Sequence, residues 1–403
     1  MRPTLFEFVL PFDQALAIVI GAATPIERVV TVPLSEADGR VSARDITAPH
    51  DVPAFDRAAM DGYAVVADDI AGATPSAPRA LRLVGGVFTG DMPARGVTSG
   101  ECMEIATGAP LPAGATAVVM VEDTSKDGEH VRVIAAVRTG QNIGRRGADI
   151  TAGRPVVSSG DVLTPSRVGA IAAVGAATVD VFDRPTVAVL STGNEVVQPG
   201  ATLREGQVHD INQFTISAVV RRHGGVTRPL PPAGDTLEAL HAALDAGLTS
   251  DVIVFSGGSS VGGRDLMVDL VSARGDVMFH GIAVKPGKPT LFGRVGRTLV
   301  FGMPGYPTSC LSNAYMLLLP LVRAMARLPP WAPQRVTLPL ARRVISTPTR
   351  HQFYTVRIIG DGAEPAFKAS GDITSMANAD GYFEIPVGVD LVEEGTPVTV
   401  TLF

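Results

Sequence analysis

The sequence predicts a multi-domain α/β protein. Three observations carry that prediction: strand-like and helix-like segments alternate from 186 to about 328, short β segments fill 62 to 137, and a second β-rich stretch follows a proline cluster around Trp331. The length of 403 residues has room for about two to four domains, and 46% apolar content is ample for buried cores.

Taken in order, Phe12, Ala15, Leu16, Val19 and Ile20 fall at i, i+3, i+4, i+7 and i+8, which predicts an amphipathic helix over 12–21. The runs 81–87, 102–107, 117–121 and 131–137 are β-type and separated by Gly, Pro and Asp turns, so they read as a small β-rich domain over 46–141. The Ala/Pro/Gly loop at 71–80 is expected to be exposed. A Gly/Arg turn and a helix-like run over 165–175 suggest that the chain returns through a helical connector, giving a discontinuous domain of 7–45 plus 142–177. From 178 to 328 the order is strand TVAVLS, helix NQFTISAVVRRH, strand near 226–230, helix TLEALHAALDAG, strand DVIVFS, helix from Arg264, strand VMFHGIAV. Such alternation implies a largely parallel sheet covered by helices on both faces. Pro329, Pro330 and Pro333 stiffen a linker, after which 333–403 forms a C-terminal β domain ending in the alternating TPVTVTLF.

A net charge of −6 and a pI of 5.7 provide no global field for nucleic acid or an anionic membrane, so an anionic ligand must be held by local lysines and arginines. Cys102 and Cys310 lack metal-ligand spacing and fit a reducing compartment, both as buried packing residues. The longest uncharged small-apolar run, 168–179, is too short to span a bilayer, and Glu7 and Asp13 break up any export signal, so a cytoplasmic protein is expected.

Two loops point to an anion pocket, FSGGSSVGGRD at 255–265 and KPGKP at 285–289. In the second, Pro286 and Gly287 suit the central positions of a type II turn, so Lys285 and Lys288 flank one bend and are reconciled by an oxyanion between them. In the first, Ser256, Gly257, Gly258, Ser259 and Gly262 bring backbone N–H groups to a helix start, and Asp265 adds a carboxylate. Basic groups, bare amides and an acid together suggest a phosphorylated ligand with a divalent cation. STGNE places Ser191, Thr192, Gly193 and Glu195 beyond a buried strand, where they either face the ligand or cap a helix. Asp235 reads as an N-cap, Asp61 as hairpin chemistry, and Thr107 as a loop hydroxyl bonded to its own backbone or offered to a ligand. His209, Asp210 and Asn212 lead into a helix without metal-site spacing, and Arg145 with Arg146 either clamps an oxyanion or is simply solvated. A P-loop is disfavoured because SGGSSVGGRD lacks the Gly-Lys-Ser/Thr ending.

Read in order, AMDGYAV, IATGAPLP, GQNIGRRGAD, STGNE, SGGSSVGGRD, KPGKP, GMPGYP and SMANADGY resemble the molybdopterin molybdenumtransferase family, to which the gephyrin E domain is related. The resemblance covers essentially the whole chain and implies four domains, among them a three-layer molybdopterin-binding α/β domain and a β-barrel-like C-terminal domain. It also implies a homodimer with a shared active site. The implied reaction is insertion of molybdate into adenylylated molybdopterin with Mg²⁺-dependent release of AMP, and the molybdopterin adenylyltransferase is an implied partner. A non-catalytic pterin- or nucleotide-binding scaffold of the same fold is the alternative. Carried over by motif, Glu195 and Asp265 would act at the metal, Lys285 and Lys288 on phosphate or molybdate oxygens, and Asp235 in support. Asp61 and Thr107 would approach from the other subunit, and Pro304 and Gly305 would join the pterin site. Three positions depart from the family's pattern: Gly144 for arginine, Asn194 for aspartate and Tyr306 for asparagine. Arg145 or Arg146 could replace the lost arginine contact, and Tyr306 bears on the rim of the pterin site.

Overall fold

The structure is a computed structural model describing residues 9–257 and 265–403, so Gly258, Ser259 and Gly262 lie outside the described residues. The chain divides into two compact units, Thr31–Val181 and the remainder, Met1–Val30 with Phe182–Phe403.

In the larger unit, six strands among the described residues form one sheet in the order Val226–Pro229, Thr186–Ser191, Val252–Ser256, Thr298–Met303, Leu291–Val295, Asp276–His280. The first four pair in parallel, and Leu291–Val295 runs antiparallel to both its neighbours. Asp276–His280 therefore ends at the same edge as the central strands, as the alternation predicts. Successive side chains of a strand point to opposite faces, and both faces are covered here. Val187, Val189, Val252 and Val254 enter a core with Ile216, Val220 and Phe301, while Ala188, Leu190, Ile253 and Phe255 enter another with Leu240, Leu244 and Leu270. That double burial explains why these strands read as continuous apolar runs rather than alternating ones.

The predicted helix over 12–21 is Phe12–Gly21, with Ala15 and Val19 fully buried against the first core. Asn212–Arg222 and Leu237–Gly247 also match their predicted spans closely. The helix expected from Arg264 is Leu266–Arg274, because Asp265 is its cap and the helix begins two residues later than expected. The run VMFHGIAV is not one strand: it breaks after His280, and Val284–Lys285 joins a different sheet, parallel to His351–Ile359. That second sheet continues through Gly381–Ile385, Pro397–Leu402 and Arg335–Pro339, and it accounts for the β character of the C-terminal stretch.

The smaller unit holds another sheet, in the order Ala117–Met120, Gly62–Val65, Glu101–Ile105, Arg79–Val87, His130–Val133, Thr124–Asp127. Its pairs are antiparallel except Arg79–Val87 with Glu101–Ile105. Residues 71–80 are exposed except Ala73. The helix Pro165–Ala173 starts at Thr164, whose hydroxyl caps it, with Pro165 at its first position, where no amide donor is needed. Cys102 and Cys310 are free and buried, and burial pushes both thiols up to about 12.

Candidate functional site

In the larger unit, a crevice of about 710 Å³ opens at the carboxyl ends of Thr186–Ser191, Val252–Ser256 and Thr298–Met303, the edge where open α/β sheets bind ligands. The loop after the first strand supplies Ser191, Thr192, Gly193 and Glu195 to its wall. The second supplies Ser256 and Gly257, and the third Pro304, Gly305 and Tyr306. Asp235 comes from the loop before Leu237–Gly247.

Close approach of these loops explains their glycines. Gly257 has φ +100°, and a Cβ there would lie 2.7 Å from the Thr192 carbonyl oxygen. The loops are tied by the Thr192 amide donating to the Ser256 carbonyl at 2.8 Å and by Gly257 N–H donating to Met303 O at 2.9 Å. Beneath them lies a polar floor. The Ser191 hydroxyl donates to Asp210 Oδ1 at 2.7 Å, and the Asn212 amide nitrogen donates to Ser256 Oγ at 2.6 Å and Gly305 O at 2.7 Å. Asp210 Oδ2 and Asn212 Oδ1 are buried with no partner among the described residues.

The acids differ in their commitments. Among the described residues the exposed Glu195 carboxylate has no hydrogen-bond partner, and it packs under Gly193, where a Cβ would stand 2.5 Å from Oε2. Asp235 is not the helix cap that the sequence suggests: Thr236 caps Leu237–Gly247 by accepting from Ala239 N, and Asp235 Oδ2 instead accepts from Asn194 N at 3.3 Å. Asn194 Oδ1 in turn accepts from Asp235 N at 3.4 Å, a contact that an aspartate at 194 would make at the cost of setting two carboxylates side by side. Asp265 is 7% exposed, and its carboxylate is already engaged. Oδ1 accepts from Met267 N and Val268 N, and Oδ2 lies 2.8 Å from His280 Nε2. It does not line the crevice. Among the described residues no three His, Cys, Asp or Glu side chains stand together as a metal-binding group.

The cationic cradle is also placed differently from expectation. Among the described residues no lysine or arginine lines the crevice; the KPGKP bend reaches it only through Pro289. Lys285 is half-buried and its Nζ donates to the Thr347 hydroxyl at 3.0 Å, and Lys288 is half-buried one residue before Pro289. Gly287 has φ +110°, as the bend requires, and the Lys285–Pro286 peptide is cis. Asn313, at the end of the helix Pro307–Asn313, pins the bend by donating to Gly287 O at 3.0 Å and to Thr290 Oγ1 at 2.5 Å.

In the smaller unit, Asp61 accepts from both the amide and the hydroxyl of Thr107, at 2.6 and 2.9 Å, and these two bonds hold its carboxyl below the usual range. Arg145 and Arg146 are not an open clamp: Arg145 Nη1 meets Asp56 at 2.6 Å and Arg146 Nε meets Asp51 at 2.6 Å. Gly144 pairs with Arg57 in a short ladder.

Sequence reasoning thus found most of the crevice wall but gave no role to its floor, Asp210 and Asn212. The signal was a polar pair entering a helix at the ligand edge of an α/β sheet. The crevice defines a ligand-binding protein of the open α/β type, and comparison with known proteins gives its family. Sequence models of the MoeA N-terminal region (domain I and II), a probable molybdopterin binding domain and the MoeA C-terminal region (domain IV) match residues 10–175, 188–324 and 337–403. Molybdopterin molybdenumtransferase 2 of Mycobacterium tuberculosis is 34% identical over 93% of this chain and 95% of its own length. Molybdopterin molybdenumtransferase of Synechococcus elongatus is 31% identical over 97% and 99%. The crystal structure of a molybdopterin biosynthesis MoeA protein from Pyrococcus horikoshii superposes with a TM-score of 0.84 at 39% identity, covering 98% of this chain and 99% of that one. The chain belongs to the molybdopterin molybdenumtransferase family.

Proposed function

We propose that the protein inserts molybdate into adenylylated molybdopterin with Mg²⁺-dependent release of AMP. The observation that carries this reading is the charge of the crevice: Glu195, Asp210 and Asp235 line it and, among the described residues, no lysine or arginine does. A phosphoanhydride repels such a wall unless a divalent cation accompanies it. The donor set suits a hard ion, since among the described residues Glu195 is uncommitted, Asp235 keeps one oxygen out of its contact with Asn194, and Mg²⁺ commonly binds one or two carboxylates plus phosphate oxygens. Mg²⁺ would supply the positive charge that stabilises the leaving phosphate. Glu195 and Asp235 would hold it, and Asp265 would act indirectly, by fixing the start of Leu266–Arg274.

Lys285 and Lys288 would meet molybdate or phosphate oxygens at the rim, where Pro289 joins the crevice; Lys285 has two N–H donors beyond the one on Thr347. Ser191, Thr192, Ser256 and the adjoining glycines would shape the wall around the substrate and exclude water. As the family resemblance implies, the working unit would be a homodimer, with Asp61 and Thr107 contributed by the second subunit and substrate delivered by an adenylyltransferase.

The test is AMP release from adenylylated molybdopterin, with and without molybdate and Mg²⁺, in the wild type and in Glu195→Gln. Release should require both ions and fall at least a hundredfold in the variant. Mg²⁺-independent release, or a wild-type rate in Glu195→Gln, would overturn the assignment; binding without release would favour a scaffold. Mixed Asp61→Ala and Glu195→Gln proteins should recover activity if the site is shared, and no recovery would place it within one chain.

A further inference from the structure

Among the described residues the crevice is lined by acids and no cation, and a second cavity in the larger unit has the reverse composition. It measures about 300 Å³, lies between the end of helix Asn212–Arg222, the proline linker around Trp331 and the end of strand Pro397–Leu402, and shares no lining residue with the crevice. Arg222 lines it and no Asp or Glu does, among the described residues. Arg221 and Arg222 both stand in the last helical turn, where a cation suits the helix dipole, but Arg221 donates to the Thr227 hydroxyl. Exposed Arg222 makes no hydrogen bond or ion pair among the described residues. His223 is 7% exposed and sets its ring edge against Trp331, with centroids 5.7 Å apart and planes at 73°. Burial, helped by Arg323 and Arg222, pushes its pKa down to about 4, so it is a neutral wall and adds no second charge. Tyr315 stacks on Trp331 at 6.0 Å and meets Phe403 at 5.1 Å, and all three rings are partly exposed. A π-helical turn, Ala314–Leu318, presents Tyr315, and such turns are frequent at functional sites. The Tyr315 hydroxyl has no hydrogen-bond partner among the described residues and is not sealed from solvent. Burial pushes that phenol up and Arg222 opposes the shift, so the two unspent donors stand near each other.

We propose that this cavity binds a small aromatic carboxylate, its carboxylate held by Arg222 and the Tyr315 hydroxyl and its ring packed against Trp331 and Phe403. The class follows from what is left unspent. A guanidinium offers parallel N–H donors that match a carboxylate, and with no acid on the lining nothing repels one. A bare inorganic anion would satisfy Arg222 and leave the rings uncovered, whereas a neutral arene would cover the rings and leave Arg222 alone. The volume lies at the small end of ligand sites and suits a single ring. The wall is also set in advance: Pro329, Pro330 and Pro333 restrict the linker, and Arg323 Nε donates to Pro329 O at 2.8 Å. Because Arg222 ends a helix packed on the α/β sheet and Phe403 follows the last strand of the C-terminal sheet, an occupant would fasten the two sheets together. The inference is independent of the transferase reading and adds a second ligand to it.

The experiment titrates the full chain with three probes: benzoate, benzamide, which keeps the ring and loses the charge, and cyclohexanecarboxylate, which keeps the charge and loses the aromatic face. Trp331 is the single tryptophan, so its emission reports the site directly, and calorimetry gives the dissociation constants. Benzoate should change the emission saturably and raise the melting temperature, with each of the other probes about fivefold weaker or more. Arg222→Gln should bring benzoate to the affinity of benzamide while leaving benzamide within about twofold. Its melting temperature without ligand should match the wild type, because the exposed guanidinium has no partner to lose among the described residues. A response to benzoate that never saturates, equal binding of benzoate and benzamide, or an unchanged preference in Arg222→Gln overturns the proposal. So does cyclohexanecarboxylate binding as tightly as benzoate, which would make the rings packing alone. None of these readouts involves AMP release, so the two readings fail separately.

Discussion

Gly287 and Asn313 together hold the lysine bend, and their coupling can be measured. A Cβ on Gly287 would stand 2.2 Å from Asn313 Oδ1, and Gly287 has φ +110°. Gly287→Ala therefore carries about 1–2 kcal/mol of backbone strain. It also displaces a fully buried amide whose two hydrogen bonds contribute about 1 kcal/mol each. We expect about 3–4 kcal/mol of destabilisation. Asn313→Ala loses the same two bonds and should cost about 2 kcal/mol. In the double variant the displacement has nothing left to displace, so only strain is added, and the pair should be less damaging than the two singles combined by about 2 kcal/mol. Urea unfolding followed at Trp331, the single tryptophan, reports on the larger unit because its ring stacks on Tyr315. Additivity within about 0.5 kcal/mol would refute the claim that Asn313 fills the space Gly287 leaves.

Other substitutions probe the remaining contacts. Thr107→Val removes one of two donors to Asp61, so the Asp61 pKa should rise toward the ordinary carboxyl value; an unchanged NMR titration would remove the hydroxyl from that role. Asp265→Ala should cost about 1 kcal/mol through the lost helix cap, whereas Asp265→Asn, which keeps an acceptor for Met267 N, should cost less, and equal thermal shifts would contradict the cap. For Asp251, burial pushes the carboxyl up, but Arg28 and Thr186 outweigh it and hold the pKa below the usual range. Its stabilising contribution is therefore complete above the unfolded carboxyl pKa and lost as pH falls through the lower folded value. Asp251→Asn should flatten the loss of melting temperature over that acid range, and an unaltered slope would show that another group controls it.

The α/β alternation, the helix at 12–21 and the β-rich flanks were legible because burial imposes a period on the sequence: continuous apolar runs where both faces of a strand are covered, and i, i+3, i+4 spacing where one side of a helix is. The ligand edge followed, since loops at the carboxyl ends of parallel strands converge whatever their composition, and Ser191, Glu195, Ser256 and Gly305 do meet there. What only the tertiary structure decided is how each polar side chain spends its hydrogen bonds. Asp265 looked like a ligand and is a cap paired with His280, Asp235 looked like a cap and faces the crevice, and Arg145 and Arg146 are taken by Asp56 and Asp51. The partners of Asp56 and Asp51 lie about ninety residues away along the chain, and those of Asp210 and Asn212 come from separate strands and loops. Periodicity reports solvent exposure one residue at a time, whereas charge and hydrogen-bond pairing are properties of neighbours that only the folded chain brings together.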